Sequence, residues 1–256
     1  MTDHDKPRAA TEISFATRDS VTVRGLDLCR DLIGKVSFSE YFLLLLTGVR
    51  PAPALVSMVD ASMVAIAEHG LVSSVQAARM TFASAPDALQ GAVAAGLLGC
   101  GSVILGAAET AGYVLADIVG TVSTQKKSLE EAVFEKLSRI RDAKEAMPGV
   151  GHPIHKDGDP RAKRLLELAD ELGVSGAHCA ALREIDRQVA NVFGRKLPTN
   201  VSGAIPAVLL DAGFPIDAMR GIPIVARAAA LIAHLAEEKR HPIGRRLSEA
   251  AGKALA

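Results

Sequence analysis

Aromatic residues are scarce in this 256-residue chain, which has two Tyr, seven Phe and no Trp. Strands draw on aromatic and β-branched side chains, so the shortage argues against a sheet architecture. Only Val21-Thr22-Val23-Arg24 alternates as a strand should. Net charge is missing too. Lys plus Arg and Asp plus Glu each total 29, a balance that gives no sign of a nucleic-acid binder or of a protein held on anionic lipid. The three cysteines, Cys29, Cys100 and Cys179, are odd in number and far apart. Reduced thiols in a cytoplasmic protein are the expectation. The opening MTDHDKPRAATE has no apolar run, so no secretory signal is predicted.

Helical periods, by contrast, are plentiful, and the fold class expected is mainly α. Ser37 to Glu40 has the form of a capping box opening a helix that ends at Gly48, before Pro51 and Pro53. Core stripes are predicted at Leu129, Val133, Leu137 and Ile140, at Leu165, Leu168 and Leu172, and at Leu182, Ile185, Val189 and Val192. The last runs through Ile222, Val225, Ala229, Ile232 and Leu235. Gly91 to Ala108 is uncharged for about the length of a membrane span. It is dominated by Gly and Ala, lacks aromatic anchors and runs into Glu109, so it is read as a buried helix suited to close subunit contact, with no membrane.

Periodicity fails at MPGVGHPIHKDGD, Met147 to Asp159, and at GRKLPTNVSG, Gly194 to Gly203. Loops on a rigid scaffold are where function concentrates. Residues 125–210 are expected to form a smaller mobile domain between the two parts, 1–124 and 211–256, of a larger one. The stretch Gly151-His152-Pro153-Ile154-His155-Lys156-Asp157-Gly158-Asp159-Pro160-Arg161 presents an imidazole on a glycine-flexed loop, then opens a helix with Arg161 in its first turn. A His and an Arg together suit a small dianionic acid, with Arg forking a carboxylate and His donating to an oxygen. The bland alternative is a loop with two solvated histidines. A metal site is not expected, because His152 and His155 lack acidic or thiolate partners at a recognised spacing.

The same stretch resembles the G-x-G-H-x-x-x-x-x-D-P-R signature of citrate synthases and citryl-CoA lyases. Val23-Arg24-Gly25 followed by LIGKVSFSEYFLLLLTGVRP resembles the family's opening segment. Ala67-Glu68-His69-Gly70 with Ala77-Ala78-Arg79 resembles its D-H-G … A-R segment, and Asn200-Val201 … Gly203 its N-V-D … G segment. Ile224-Val225-Ala226-Arg227 with Ile232-Ala233-His234 resembles its late helix. These segments occur in the family's order from Val23 to His234. The resemblance implies a helical fold with a large and a small mobile domain, a homodimer, and CoA thioester and keto acid as substrates, with no tightly bound cofactor. It places His69 and His152 against the keto acid and Arg161 and Arg227 on its carboxylates. Arg245 or Arg246, reaching from the partner subunit, stands for a third such arginine, and the assignment adopted is Arg246. CoA would lie along Met147 to Gly151, against Val150 and Gly151.

Two departures bear on mechanism. The family's enolising Asp is replaced by Ser202, and the His that donates to the thioester enolate by Ile104. A positioned base contributes about 10²–10⁴-fold and an oxyanion donor ~10²–10³-fold, so ordinary acetyl-CoA enolisation should be nearly lost. Three readings follow. One is citryl-CoA lyase chemistry, with His152 or His69 as base and Ser102, Ser202 or a backbone N–H as donor. The others are altered chemistry on the same scaffold, and a member that binds a CoA thioester or a di- or tricarboxylate without turnover.

Overall fold

The computed structural model describes residues 11–151 and 157–255. It is built of helices with three short strands, and it divides into two compact units, Met1–Asp60 and Ala61–Ala256. In the first unit, β1 (Ser14–Ala16), β2 (Val21–Val23) and β3 (Leu26–Asp27) form an antiparallel meander. The β2–β3 turn is Arg24-Gly25, both at positive φ (47° and 80°), the left-handed pair that matches the twist of a two-residue hairpin. Arg24 donates from Nε and Nη2 to the carbonyl of Leu45 at 3.1 and 2.7 Å. That carbonyl lies in the last turn of α1 (Phe38–Thr47), where backbone acceptors lack helical donors. α1 has its expected limits: Ser37 Oγ accepts from the amide of Glu40, and Gly48 ends the helix in the left-handed conformation.

The division falls within α2 (Pro53–Ala67). The second unit then holds α3 (Ser73–Ser84), α4 (Leu89–Leu105), α5 (Ala107–Gln125), α6 (Leu129–Asp142), α7 (Pro160–Glu171), α8 (Ala177–Phe193), α9 (Val201–Asp211), α10 (Gly221–Arg240) and α11 (Gly244–Leu255). α9 is its centre. Every residue from Gly203 to Leu209 is buried, and α5, α7 and α8 pack around it. Small residues set the approach distances. A Cβ on Gly96 of α4 would stand 2.7 Å from the Leu231 methyls of α10 and 3.0 Å from the Ser74 carbonyl of α3. α4 therefore sits against both helices only because no side chain is there.

The apolar Gly91–Ala108 stretch is less buried than its composition led us to expect. Leu89–Gln125 is long and apolar enough by composition to cross a membrane, yet its helix breaks at Gly101 (φ 58°, ψ −172°). Ala92, Gly96, Cys100 and Leu105 are buried, whereas Leu98 and Val103 are 82% and 89% exposed. The stripes of α6 and α8 lie largely as predicted: Val133, Leu137, Ile140, Leu182, Ile185, Val189 and Val192 are buried and Leu129 is half-buried. On α7, Leu165 is buried and Leu168 half-buried, while Leu172, just past its end, is 37% exposed. α10 departs further from expectation: Ala229 and Ile232 face out, and the buried face carries Arg227 and Glu238 beside Ile222, Ala226, Ala230, Leu231 and Leu235. Two charged residues on the inner face disguise its apolar period.

One carboxylate joins α9 to α8. Residue Gly176 before α8 has no side chain to cap it, and Asp211 at the end of α9 supplies the acceptor. Its oxygens take the amides of Gly176 (2.7 Å), His178 (2.9 Å) and Cys179 (2.8 Å), with His178 Nδ1 at 2.8 Å. Burial opposes ionisation of Asp211, but the His178 side chain and the Cys179 and His178 amides outweigh it, holding its pKa well below the ordinary carboxylate range. A lowered folded pKa stabilises fully above the unfolded value of roughly 3.9 and fades as the pH falls below it. Asp211→Asn should therefore cost about 2–3 kcal/mol at neutral pH. In denaturant melts between about pH 3 and 7, its stability should fall less steeply with acid than the wild type's.

Candidate active site

Two loops meet before α7 and α9. Val150 pairs with Thr199 as an isolated antiparallel bridge. The Asn200 amide donates to the Gly149 carbonyl at 3.0 Å, and the Gly151 amide to the Pro198 carbonyl at 2.7 Å. Asn200 then works in both directions: Nδ2 donates to the Gly151 carbonyl at 2.6 Å, and Oδ1 accepts from the Ser202 amide at 2.9 Å, capping α9. Glycine is required at two points. Gly149 has φ +81°, and a Cβ there would lie 2.7 Å from the Gly203 Cα, while one on Gly203 would lie 2.5 Å from the Gly149 carbonyl oxygen. The loop carrying Val150 and Gly151 thus touches the first turn of α9 backbone to backbone.

Asp159 fastens this junction. Its side chain is fully buried, and its oxygens accept from the Arg161 amide (3.0 Å), from Arg161 Nε and Nη2 (3.0 and 2.9 Å), and from the Val201 amide (2.9 Å). One carboxylate thereby caps α7, anchors the start of α9 and holds the Arg161 guanidinium in a two-bond fork. Burial opposes its ionisation, but the Arg161 side chain and the Val201 and Arg161 amides prevail and keep its pKa below the ordinary carboxylate value. A guanidinium has five N–H donors. With two on Asp159, the other three have no partner among the described residues.

Ser202 sits in the first turn of α9, half-buried. Its carbonyl loses the usual helical donor because Pro206, four residues on, has no N–H. Among the described residues no base reaches its hydroxyl, so nothing there activates it. Ile104 lies just past the break in α4 and is 44% exposed. Beside its segment stands a cation the sequence reading missed, on the residue before α10. Arg220, paired with Glu109, places Nη2 3.1 Å from where a Cβ on Gly106 would stand, and its buried Nε has no partner among the described residues.

The remaining site residues lie on other elements of the same unit. Arg227 on α10 is 5% exposed, and its Nε and Nη1 are buried without a hydrogen-bond partner among the described residues. His69 is in the turn before α3, beside Glu68, which binds His234 at 2.9 Å. Arg227 and His234 are seven residues apart, two turns along one face of α10. Arg246 is exposed on α11, beside a cavity of about 470 Å³ that it lines with Phe82, Lys239 and Arg245. The structure thus gathers Val150, Gly151, Arg161 and Ser202 around Asp159 and Asn200; it does not bring Arg246 to them. His152 and His155 lie outside the described residues.

Asp159 and Arg227 have opposite thermodynamic signatures. Removing one partner of a buried pair costs about 3–5 kcal/mol, whereas a buried guanidinium without a partner is itself a burden on the fold. Denaturant melts should show Asp159→Ala destabilised by that amount and Arg227→Leu unchanged or more stable. A loss above about 2 kcal/mol in Arg227→Leu would mean its guanidinium is satisfied within the folded chain.

Comparisons with known proteins now have a geometry to be set against. Residues 11–247 match the family model for the citrate synthase C-terminal domain. The chain superimposes on citryl-CoA lyase from Hydrogenobacter thermophilus with a TM-score of 0.80 and 34% identity, covering 89% of this chain and 86% of that one. ATP citrate lyase from Methanothrix soehngenii, solved with citrate and coenzyme A, shares the fold at a TM-score of 0.74 and 22% identity, covering 92% of this chain and 39% of that one. Citrate synthase 2 of Bacillus subtilis is 31% identical over 204 residues, 78% of this chain and 52% of that protein. The chain spans about half the length of the curated relatives it matches. With the family model matching nearly its whole length and the helical fold in agreement, the chain belongs to the citrate synthase family.

Proposed function

We propose that the protein cleaves citryl-CoA, or a closely similar 3-hydroxy-acid CoA thioester, to a 2-keto acid (oxaloacetate) and acetyl-CoA. The observation that carries this reading is the pair of guanidiniums with unspent donors. Among the described residues Arg227 is buried and unpartnered, and Arg161, forked by Asp159, has three N–H groups left over. Two fixed cations suit the two carboxylates of a four-carbon keto acid. The likeness at 34% identity to a solved citryl-CoA lyase supports the same choice.

In this reading a base, His152 or His69, takes the proton of the tertiary hydroxyl. The carbon–carbon bond breaks as the hydroxyl carbon becomes the ketone, and its electron pair moves onto the thioester as an enolate. The enolate carbon then takes a proton to give acetyl-CoA. Ser202 or Ser102 donates to the enolate oxygen. Val150 and Gly151 lie along the CoA, and the 125–210 segment is the moving part. A cytoplasmic homodimer completes the proposal, with the exposed Leu98 and Val103 of α4 as subunit contact and Arg246 serving the partner's site.

A second reading has its own observation. Ser202 has no activating base among the described residues and Ile104 has no donor, so a protein that binds the ligands without turnover would look the same there. Incubation with citryl-CoA, followed by mass spectrometry of acetyl-CoA and oxaloacetate, separates the two. Turnover should fall at least ~10²-fold in His152→Ala and comparably in Arg161→Ala. No turnover in the wild type, with oxaloacetate or CoA still bound, would favour the binding reading.

A further inference from the structure

The turn that carries His69 is tied down from both sides. Glu68 Oε1 accepts from the His69 amide at 2.9 Å and also from the Gly70 amide, while Oε2 meets His234 Nε2 of α10 at 2.9 Å. Burial works against ionisation of Glu68, but the Gly70 amide, the His234 ring and the His69 amide outweigh it, so its carboxyl stays below the ordinary range. An ionised carboxylate only accepts, so the His234 ring donates from Nε2. Its other nitrogen, Nδ1, lies 3.9 Å from Glu237 Oε2. That same oxygen accepts from Nη1 of the buried Arg79 at 2.8 Å. Arg79 Nε donates to Glu238 Oε2 at 2.6 Å, and Glu238 Oε1 accepts from the Ile243 and Gly244 amides (2.9 and 2.7 Å) that open α11. An ionic ladder thus runs from the His69 turn along α10 to the start of α11.

We infer that Glu68 and His234 are positioning residues for His69, a latch that fixes its turn against α10 so that the imidazole meets the substrate in one orientation. Geometry favours this over a surface ion pair. His234 is only 13% exposed, and although Glu68 is 56% exposed, both its oxygens are engaged, one on backbone and one on the ring. A salt bridge to a neighbouring side chain would not need the backbone amides of the turn. The buried Arg79, held by Glu237 and Glu238, gives α10 a fixed platform from which His234 reaches the turn. Residues 227 and 234 share one face of α10, so the helix that presents Arg227 also sets the His69 turn.

This inference rests on the proposed keto-acid role of His69, and the experiment keeps the two apart. Glu68→Ala, His234→Ala and His234→Gln are compared with wild type by amide hydrogen exchange and by oxaloacetate titration calorimetry. Exchange at His69 and Gly70 should rise at least about tenfold in the two Ala variants, with Leu231 in the core of α10 unchanged. Oxaloacetate affinity should fall about tenfold or more, and His234→Gln, whose amide nitrogen reaches where Nε2 was, should recover most of both. Glu68→Ala/His234→Ala together should lose no more than either alone. Unchanged exchange at the turn overturns the latch whatever the protein binds. Faster exchange with unchanged oxaloacetate affinity overturns its part in positioning substrate. A wild type that binds no oxaloacetate, with the exchange result as expected, overturns the keto-acid reading of the site and not the latch.

Discussion

The organisation of the site hangs on one buried carboxylate. Asp159 accepts four hydrogen bonds, two of them from helix-start amides on α7 and α9 and two from the Arg161 guanidinium. Those helices are separated by α8 and its flanking turns, so their starts have no covalent reason to meet. A carboxylate removed from water is costly unless its lone pairs are filled, and four charge-assisted donors fill them. The consequence is geometric. Arg161 cannot swing away, and the first turn of α9, with Ser202 on it, is fixed relative to the loop that presents Val150 and Gly151.

Cations elsewhere follow a different rule. Arg79 is as buried as Arg227, yet every bond it makes is internal, to Glu237, Glu238 and the His241 carbonyl. Arg227 sits on the same helix as those glutamates and has no such partner among the described residues. The contrast separates a guanidinium whose bonds are all internal from one left unpaired among the described residues, as the ligand role proposed for Arg227 requires. Active-site residues are commonly kept at a cost to stability of this kind. The latch from Glu68 to His234 lies between them in character. It is ionic and partly exposed, and it acts on a turn and not on a core.

Much of the helical frame was legible in the sequence because α6 and α8 bury aliphatic side chains at the expected period and α1 has both its caps. The face of α10 was not, because Arg227 and Glu238 occupy inward positions that a hydrophobic pattern skips, leaving Ile232 to be mistaken for core. The inner burial of α4 was overestimated from its Gly and Ala content. Those residues allow close approach to α3 and α10 on one side and leave Leu98 and Val103 uncovered on the other. In the site, Asp-Pro-Arg announced a helix start with a cation in its first turn. The bond from Asp159 to the Val201 amide could not be read, because it joins residues far apart in sequence. Nor could the backbone contact of Gly149 with Gly203, where each glycine looks like ordinary loop punctuation. The expectations for Ser202 and Ile104 came from family resemblance, while the cation beside Gly106 emerged only from the fold.

The central claim is that Arg161 and Arg227 hold the two carboxylates of one keto acid. A crystal structure of the protein with oxaloacetate and CoA tests it most directly. The account predicts one oxaloacetate whose carboxylates lie within hydrogen-bond distance of both guanidiniums, with the Arg161–Asp159 fork intact. Oxaloacetate bound elsewhere, or an Arg227 that still meets no ligand, would contradict it.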